Sequence, residues 1–147
     1  DTTRFTIAGE GTFDIRVRVP RWATRGFFVK INGVQQKLDS LPGTYLCLRQ
    51  AWKNNDTIEL RMPFHFRLSS VMDQPNIASI FYGPVLLAAE ESAPRTEWRG
   101  VTLHAADLGK SITGDAGALR FKIGDVPFKP FHETYGRHSV YLDVTLQ

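Results

Sequence analysis

The stretch GTFDIRVRVPRWA, residues 11–23, decides the fold. Apolar residues occupy every second position from Phe13 to Val19, and charged residues stand between them. Because successive side chains of a β-strand point to opposite faces, this alternation predicts a half-buried strand. Pro20 ends the strand, since proline lacks the N–H that a continuing ladder would use. We expect Trp22 to cover the open end of an apolar core, because an indole buries a large apolar area and needs only one hydrogen-bond partner.

The densest basic group of the chain lies in and just after this strand and consists of Arg16, Arg18, Arg21 and Arg25. The whole sequence of 147 residues has 18 Lys and Arg against 15 Asp and Glu, a formal net charge of +3. Arg16 and Arg18 fall on the solvent face of the predicted strand, and no recognition helix or aromatic RNA-binding motif accompanies them. No apolar run approaches the length of about 20 residues that a membrane span needs. We therefore expect neither nucleic acid nor a membrane as a partner.

Further alternating segments follow along the chain, separated by turn signals. Asn32-Gly33 and Pro42-Gly43 are tight-turn pairs. The apolar run of residues 77–90, IASIFYGPVLLAAE, has Gly83-Pro84 at its centre and predicts two buried strands or one broken strand. Strands at intervals of about 10 to 14 residues are typical of a β-sandwich or barrel. We predict an all-β fold in which residues 1–147 form a single antiparallel β-sandwich domain, jelly-roll or immunoglobulin-like.

The second half of the chain has weaker patterns. Residues 91–118 are polar and rich in Gly, Ala and Ser, and they predict a long irregular connection with one short helical turn near residues 104–109. Residues 119–125 predict a strand, and residues 125–136 predict an irregular aromatic segment. Residues 138–146, HSVYLDVTL, alternate again and predict the last strand.

The single cysteine, Cys47, excludes an internal disulfide and a cluster of thiolates around a metal. It lies in the alternating segment TYLCLR. We expect it to be buried as a small apolar side chain.

In order, the turns and strands form a series of short motifs: Arg18-x-Pro20-x-Trp22, Val29 before Asn32-Gly33, Pro42-Gly43 with Tyr45, Trp52 with Asp56, and Gly83-Pro84. The closing segment KPFHETYGRHSVYL, residues 129–142, adds a Pro-Phe pair and a late Arg and Tyr. This series resembles the β-sandwich region of the DUF1680 family, the glycoside hydrolases of family 127 that include β-L-arabinofuranosidases. The resemblance covers residues 5–90 and 119–142.

The resemblance implies that the chemistry takes place outside this chain. In the family, an α-helical toroid that precedes this region carries the nucleophilic cysteine, the zinc-holding cysteines and glutamate, and the acid/base glutamate. No residue of this chain matches those positions, so the resemblance implies a non-catalytic accessory domain of a bacterial glycoside hydrolase. Its expected partner is the catalytic domain of the same parent chain, and a plant-type polysaccharide and a homodimer are further candidate partners. The sequence leaves the localisation open, with a periplasmic or secreted parent as one alternative.

The start of the chain agrees with this interpretation. It has no initiator Met, no basic n-region and no apolar h-region. We expect the sequence to be a piece of a longer protein.

Two groups of residues could suggest an independent activity. Glycosidases need two carboxylates about 5 to 10 Å apart across a sugar, but Glu90 and Glu91 are adjacent and would point to opposite faces of a strand. His132, Glu133 and His138 lie close together in the sequence, without the H-E-x-x-H spacing of a zinc helix. We interpret the latter group as part of a hydrogen-bonded aromatic loop. We predict no catalytic residue, no metal site and no cofactor.

Carbohydrate binding is the functional alternative, with the chain acting as an autonomous carbohydrate-binding module. Such modules stack exposed Trp or Tyr rings on sugars and surround them with polar side chains. Trp98, flanked by Arg95 and Arg99 in the polar segment, is the candidate binding ring, and the two arginines are the candidate hydrogen-bond donors. Trp52, beside an Asn-rich turn, is a second possibility. The competing interpretation of Trp98 is a contact surface for another domain.

Overall fold

The computed structural model describes all 147 residues, Asp1–Gln147, as strands joined by turns and two short 3₁₀ helices. The all-β fold class is confirmed. The chain divides into two compact units, Asp1–Phe64 and His65–Gln147. Because the chain divides in this way, a single sandwich domain over residues 1–147 stays a prediction. The structure contains no helix with the length and apolar character that a membrane crossing requires.

Six strands form the first unit. They are β1 (Thr2–Thr6), β2 (Gly11–Arg18), β3 (Phe28–Ile31), β4 (Val34–Gln35), β5 (Tyr45–Trp52) and β6 (Thr57–Arg61). One antiparallel sheet has the order β1-β6-β3-β4, and β2 and β5 pair along their full length as a second antiparallel sheet. Inward side chains from both sheets share one apolar core, so the unit is itself built as two facing layers.

The core of the first unit confirms the prediction made from β2. Val17 and Val19 are buried and Arg16 and Arg18 are exposed, as predicted, whereas Phe13 at the start of the pattern is 45% exposed. Trp52 is the largest side chain of this core and is 1% exposed, and its indole Nε1 donates a hydrogen bond of 2.9 Å to the carbonyl oxygen of Phe13. Trp22 packs against the same core and meets the Phe64 ring edge to face, with 5.3 Å between the ring centroids. The indole therefore extends the apolar core, as expected.

The prediction that Cys47 is buried is wrong. Leu46 and Leu48 point into the core, so Cys47 between them points outward and is exposed, directly opposite Arg16 on β2. The alternation is present, but its phase is fixed by the two leucines. Arg49, two residues along on the same face as Cys47, is the sequence feature that indicates the outward direction.

Nine strands form the second unit. They are β7 (Phe66–Val71), β8 (Gln74–Tyr82), β9 (Val85–Glu90), β10 (Arg99–Leu103), β11 (Thr113–Asp115), β12 (Arg120–Ile123), β13 (Val126–Pro130), β14 (His138–Ser139) and β15 (Leu142–Leu146). The main path through their sheet is β10-β15-β8-β9-β13-β12-β11, with β7 paired to β8 and β14 to β9. Only the β10–β15 pair is parallel. Buried side chains from every strand of this path except β11 meet in one core cluster, so the sheet curls around its own core.

The apolar run of residues 77–90 forms two strands rather than one broken strand. β8 and β9 pair antiparallel, and Gly83 takes a positive φ of 56° in the turn between them. Glycine adopts this conformation without the steric cost that a side chain would add. The structure thus decides between the two alternatives that the sequence leaves open.

The connection predicted around residues 91–118 is more ordered than expected. It contains β10, β11 and a 3₁₀ helix at Leu108–Ser111, where the Asp107 side chain accepts a hydrogen bond from the Gly109 N–H. β10 is short, so only Val101 and Leu103 mark its buried face. The segment 125–136, predicted as irregular, contains β13, whose two prolines argue against a strand on sequence grounds.

Candidate functional site

A cleft of about 740 Å³ lies in the second unit, between residues 91–98 and residues 136–141. Two strand pairings bring these segments together. β14 pairs with the end of β9, and β10 runs parallel to β15. The two segments are about 40 residues apart in the sequence, and these pairings place them next to each other at the cleft.

A buried carboxylate with several partners lies in the wall of the cleft. The Glu91 side chain is 4% exposed and is held by a forked contact with Arg99, whose Nε donates to Oε1 at 2.6 Å and whose Nη2 donates to Oε2. Ser139 Oγ donates a further hydrogen bond of 2.8 Å to Oε1. Two parallel N–H donors match the geometry of a carboxylate, which makes such a pair both strong and directional. Glu91 and Arg99 therefore form a fixed part of the site.

The same contacts determine the charge state of Glu91. The hydrogen bonds from Arg99 hold the pKa of the Glu91 carboxyl below its usual range, Ser139 and the charge of Arg95 act in the same direction, and burial opposes them. The carboxylate in turn raises the pKa of Arg99. Glu91 is therefore ionised at neutral pH.

Two exposed aromatic rings stand at the mouth of the cleft. Trp98 is 54% exposed and Tyr141 is 47% exposed. Their ring centroids are 6.2 Å apart and their planes make an angle of 73°. Arg95 lines the same cleft, with its Nε 3.9 Å from Glu91 Oε1. Aromatic surface beside a few fixed polar groups is the composition of small-molecule binding sites in general.

The structure thus brings the three residues singled out from the sequence into one region. Trp98 and Arg95 line the cleft, while Arg99 is bound to Glu91. Sequence reasoning missed Tyr141, although it stands on the polar face of the last alternating segment. It considered Glu91 only as a candidate catalytic carboxylate, because the partners of Glu91 come from other strands and have no local signal in the sequence. Trp52, the second candidate ring, is buried and takes no part in a surface site.

The carboxylates near the cleft have separate partners. Glu90 Oε1 lies 2.6 Å from Lys129 Nζ, whereas Glu91 contacts Arg99. A glycosidase acid needs a carboxyl whose pKa is raised so that it holds a proton. The lowered pKa of Glu91 is the opposite of that requirement.

The segment with the two histidines contains the 3₁₀ helix Phe131–Glu133 and β14, and its polar side chains have neighbouring partners. Glu133 pairs with Arg120, and the His138 ring packs on Phe131 while its Nδ1 contacts the carbonyl oxygen of Gly136 at 2.8 Å. His132 Nε2 lies 3.7 Å from Glu133 Oε1. No three His, Cys, Asp or Glu side chains come close enough to hold one metal ion.

The sequence of the first unit matches the model of a known protein family. Residues 1–64 match the family model "Beta-L-arabinofuranosidase, GH127 middle domain". No curated protein matches the chain.

Three solved structures share the fold of both units. They are a GH127 β-L-arabinofuranosidase from Geobacillus stearothermophilus T6 (TM-score 0.72, 18% identity), a glycoside hydrolase (0.69, 15%) and a GH127 β-arabinofuranosidase (0.67, 17%). Each comparison covers 98% of this chain and 28% to 30% of the solved chain, so this chain spans less than a third of the length of these relatives. At these identities the likeness shows the fold. Together with the family match, it confirms the resemblance predicted from the sequence motifs: over residues 1–64, the chain is similar to the middle domain of the family 127 glycoside hydrolases.

Proposed function

We propose that this chain is a non-catalytic β-region of a glycoside hydrolase, and that it supports the catalytic domain of the same protein. The observation that carries the proposal is the match of residues 1–64 to a domain that stands in the middle of β-L-arabinofuranosidases. The solved relatives share the fold over 98% of this chain and are more than three times as long. In this proposal, the catalytic domain lies in the part of the parent protein that corresponds to their additional length.

The chemistry of the second unit supports a non-catalytic role. Glu91 is fixed by Arg99 as an ionised group, and Glu90 is paired with Lys129. The hydrogen bonds from Arg99 lower the pKa of the Glu91 carboxyl, whereas a general acid at neutral pH requires a raised pKa.

The test adds this chain to the catalytic part of the parent protein, prepared without residues 1–147. A partner that binds the folded state raises the melting temperature, and we expect a rise of about 5 °C at saturating concentration. The rate of hydrolysis of 4-nitrophenyl β-L-arabinofuranoside is measured in the same mixtures, with serum albumin as the control. An unchanged melting temperature together with an unchanged rate would contradict the supporting role.

A second candidate function is direct binding of glycans by the cleft of the second unit. The specific observation is the exposed pair of Trp98 and Tyr141 beside Arg95. Arabinan and arabinogalactan are the plant polymers to test first, by titration of the intrinsic tryptophan fluorescence. We expect a saturable change that is absent from Trp98→Ala. An unchanged tryptophan fluorescence with every polymer and oligosaccharide would contradict glycan binding.

The homodimer remains a further proposal for the same chain. Light scattering after size-exclusion chromatography gives the mass in solution. A mass of one chain at every concentration would contradict it.

A further inference from the structure

We propose that the cleft lined by Trp98 and Tyr141 recognises a single residue at the end of an uncharged glycan, rather than the interior of a long chain. The inference rests on the second candidate function proposed above, glycan binding by this cleft. It specifies which part of the glycan the cleft binds.

The angle between the two rings limits the direction in which a bound chain can continue. A sugar stacks on an aromatic ring through the C–H bonds of its face, so it lies parallel to that ring. The planes of Trp98 and Tyr141 make an angle of 73°, and their centroids are 6.2 Å apart. A sugar stacked on one ring is therefore blocked on one side by the other ring. A chain bound there continues on one side only, which is the geometry of a chain end.

No third Trp, Tyr or Phe ring lines the cleft to extend this pair into a row, and the His138 imidazole that lines it packs on Phe131. Phe131 and Tyr135 are exposed, but neither lines the cleft. Surfaces that follow a polymer use successive aromatic rings, with one unit of the polymer stacked on each ring, as single-stranded nucleic-acid channels do. The cleft offers one aromatic corner instead. The stacking surface of the cleft therefore serves one bound residue at this corner.

The charges around the corner largely offset one another, because Arg95 and Arg137 line the cleft together with Glu97, and Glu91 is paired with Arg99. The charge of the Glu91 carboxylate is compensated by the forked contact with Arg99, and Ser139 occupies a further position on the same carboxylate. Arg95 lies at the edge with its side chain 37% exposed, so its N–H groups can reach hydroxyl oxygens of a ligand. Fixed polar groups on one side and aromatic surface on the other are the two features that orient a neutral sugar ring.

The experiment is a titration with arabino-oligosaccharides of increasing length, from methyl α-L-arabinofuranoside through the disaccharide and trisaccharide to the pentasaccharide. Tryptophan fluorescence and calorimetry give the Kd of each complex. If only a chain end is bound, the Kd values of the disaccharide and the pentasaccharide agree within about twofold. We expect Trp98→Ala and Tyr141→Ala each to weaken binding by about tenfold or more. Tyr45→Ala, which removes an exposed tyrosine of the first unit, is the matched control and is expected to leave the Kd unchanged.

Each alternative outcome has a separate meaning. A Kd that falls by about tenfold or more from the disaccharide to the pentasaccharide would overturn the chain-end inference and leave glycan binding in place. The absence of binding by every sugar would overturn both. Circular dichroism of each variant verifies that it is folded, and Tyr141→Ala keeps Trp98 as the fluorescent reporter.

Discussion

Glu91 shows how one side chain fixes the geometry of a surface cleft. Its carboxylate contacts Arg99 from β10 and Ser139 from β14, so a single group links two strands that are separate in the sequence. Its neighbour Glu90 points to Lys129 on β13 and remains 44% exposed. These adjacent glutamates differ in burial and in partner, and the difference can be measured.

Glu91→Gln is expected to lower the free energy of unfolding by about 2 kcal/mol near pH 7, because it removes charged hydrogen bonds from a buried carboxylate. Glu90→Gln is the control, and we expect a change within about 0.5 kcal/mol because its ion pair is more exposed. Urea denaturation measures both.

The same comparison has a defined pH dependence. Arg99 lowers the folded-state pKa of Glu91 below the ordinary value of 4.5, which the unfolded chain retains. The stabilisation by the carboxylate is therefore complete above pH 4.5 and is lost as the pH falls through the folded-state pKa. The difference between the protein and Glu91→Gln should shrink in that acidic range. A difference that stays constant down to about pH 3 would contradict the assigned contacts.

Cys47 gives a second test at the same scale. Its exposed position on the outer face of β5 predicts that native protein reacts fully with Ellman's reagent, at a rate similar to that of the urea-unfolded chain. Cys47→Ser is expected to change the free energy of unfolding by less than about 0.5 kcal/mol. A thiol that reacts only after unfolding would contradict the assignment of Cys47 to the exposed face of β5.

The strands themselves are predictable where apolar and polar residues alternate over several residues. β2, β5 and β6 follow their patterns because each has one buried and one exposed face. Sequence reasoning missed β10 and β13 because one is too short for a clear period and the other contains two prolines. The cleft depends on the parallel pairing of β10 with β15 and on the pairing of β14 with β9. Such long-range pairings have no local sequence signal, so Trp98 could be singled out but its partner Tyr141 could not.

The β11–β12 pair contains a close backbone approach at Gly114. A Cβ at this position would lie 2.1 Å from the carbonyl oxygen of Arg120 and 2.8 Å from the Cα of Phe121, and φ is +134°. Gly114→Ala is expected to cost about 3 kcal/mol, because both the backbone conformation and the partner strand must change. The measurement is thermal unfolding followed by circular dichroism.

Gly100 in β10 is the matched control for that substitution. A Cβ added at Gly100 would have no atom within 4 Å, and the residue has no positive φ. Gly100→Ala should shift the stability by less than about 1 kcal/mol. Equal effects of the two substitutions would contradict the described register of β11 and β12.

At the scale of the whole molecule, each unit has its own apolar core. The core of the first unit includes Trp52, and the core of the second includes Phe128. The family match covers the first unit, and the likeness to solved enzymes extends over both. The motif series in the sequence predicts this relationship, since turn pairs such as Asn32-Gly33 are local features that the sequence displays directly. The sequence does not predict the division into two units, because that division depends on which strands share a core.

The most direct test of the central claim, that this chain is non-catalytic, is the initial rate of hydrolysis of 4-nitrophenyl β-L-arabinofuranoside. It is measured for this chain, for the catalytic part of the parent protein and for their equimolar mixture. The account predicts no rate above the uncatalysed reaction for this chain, and turnover wherever the catalytic part is present. Turnover by this chain alone that Glu90→Gln or Glu91→Gln removes would contradict it.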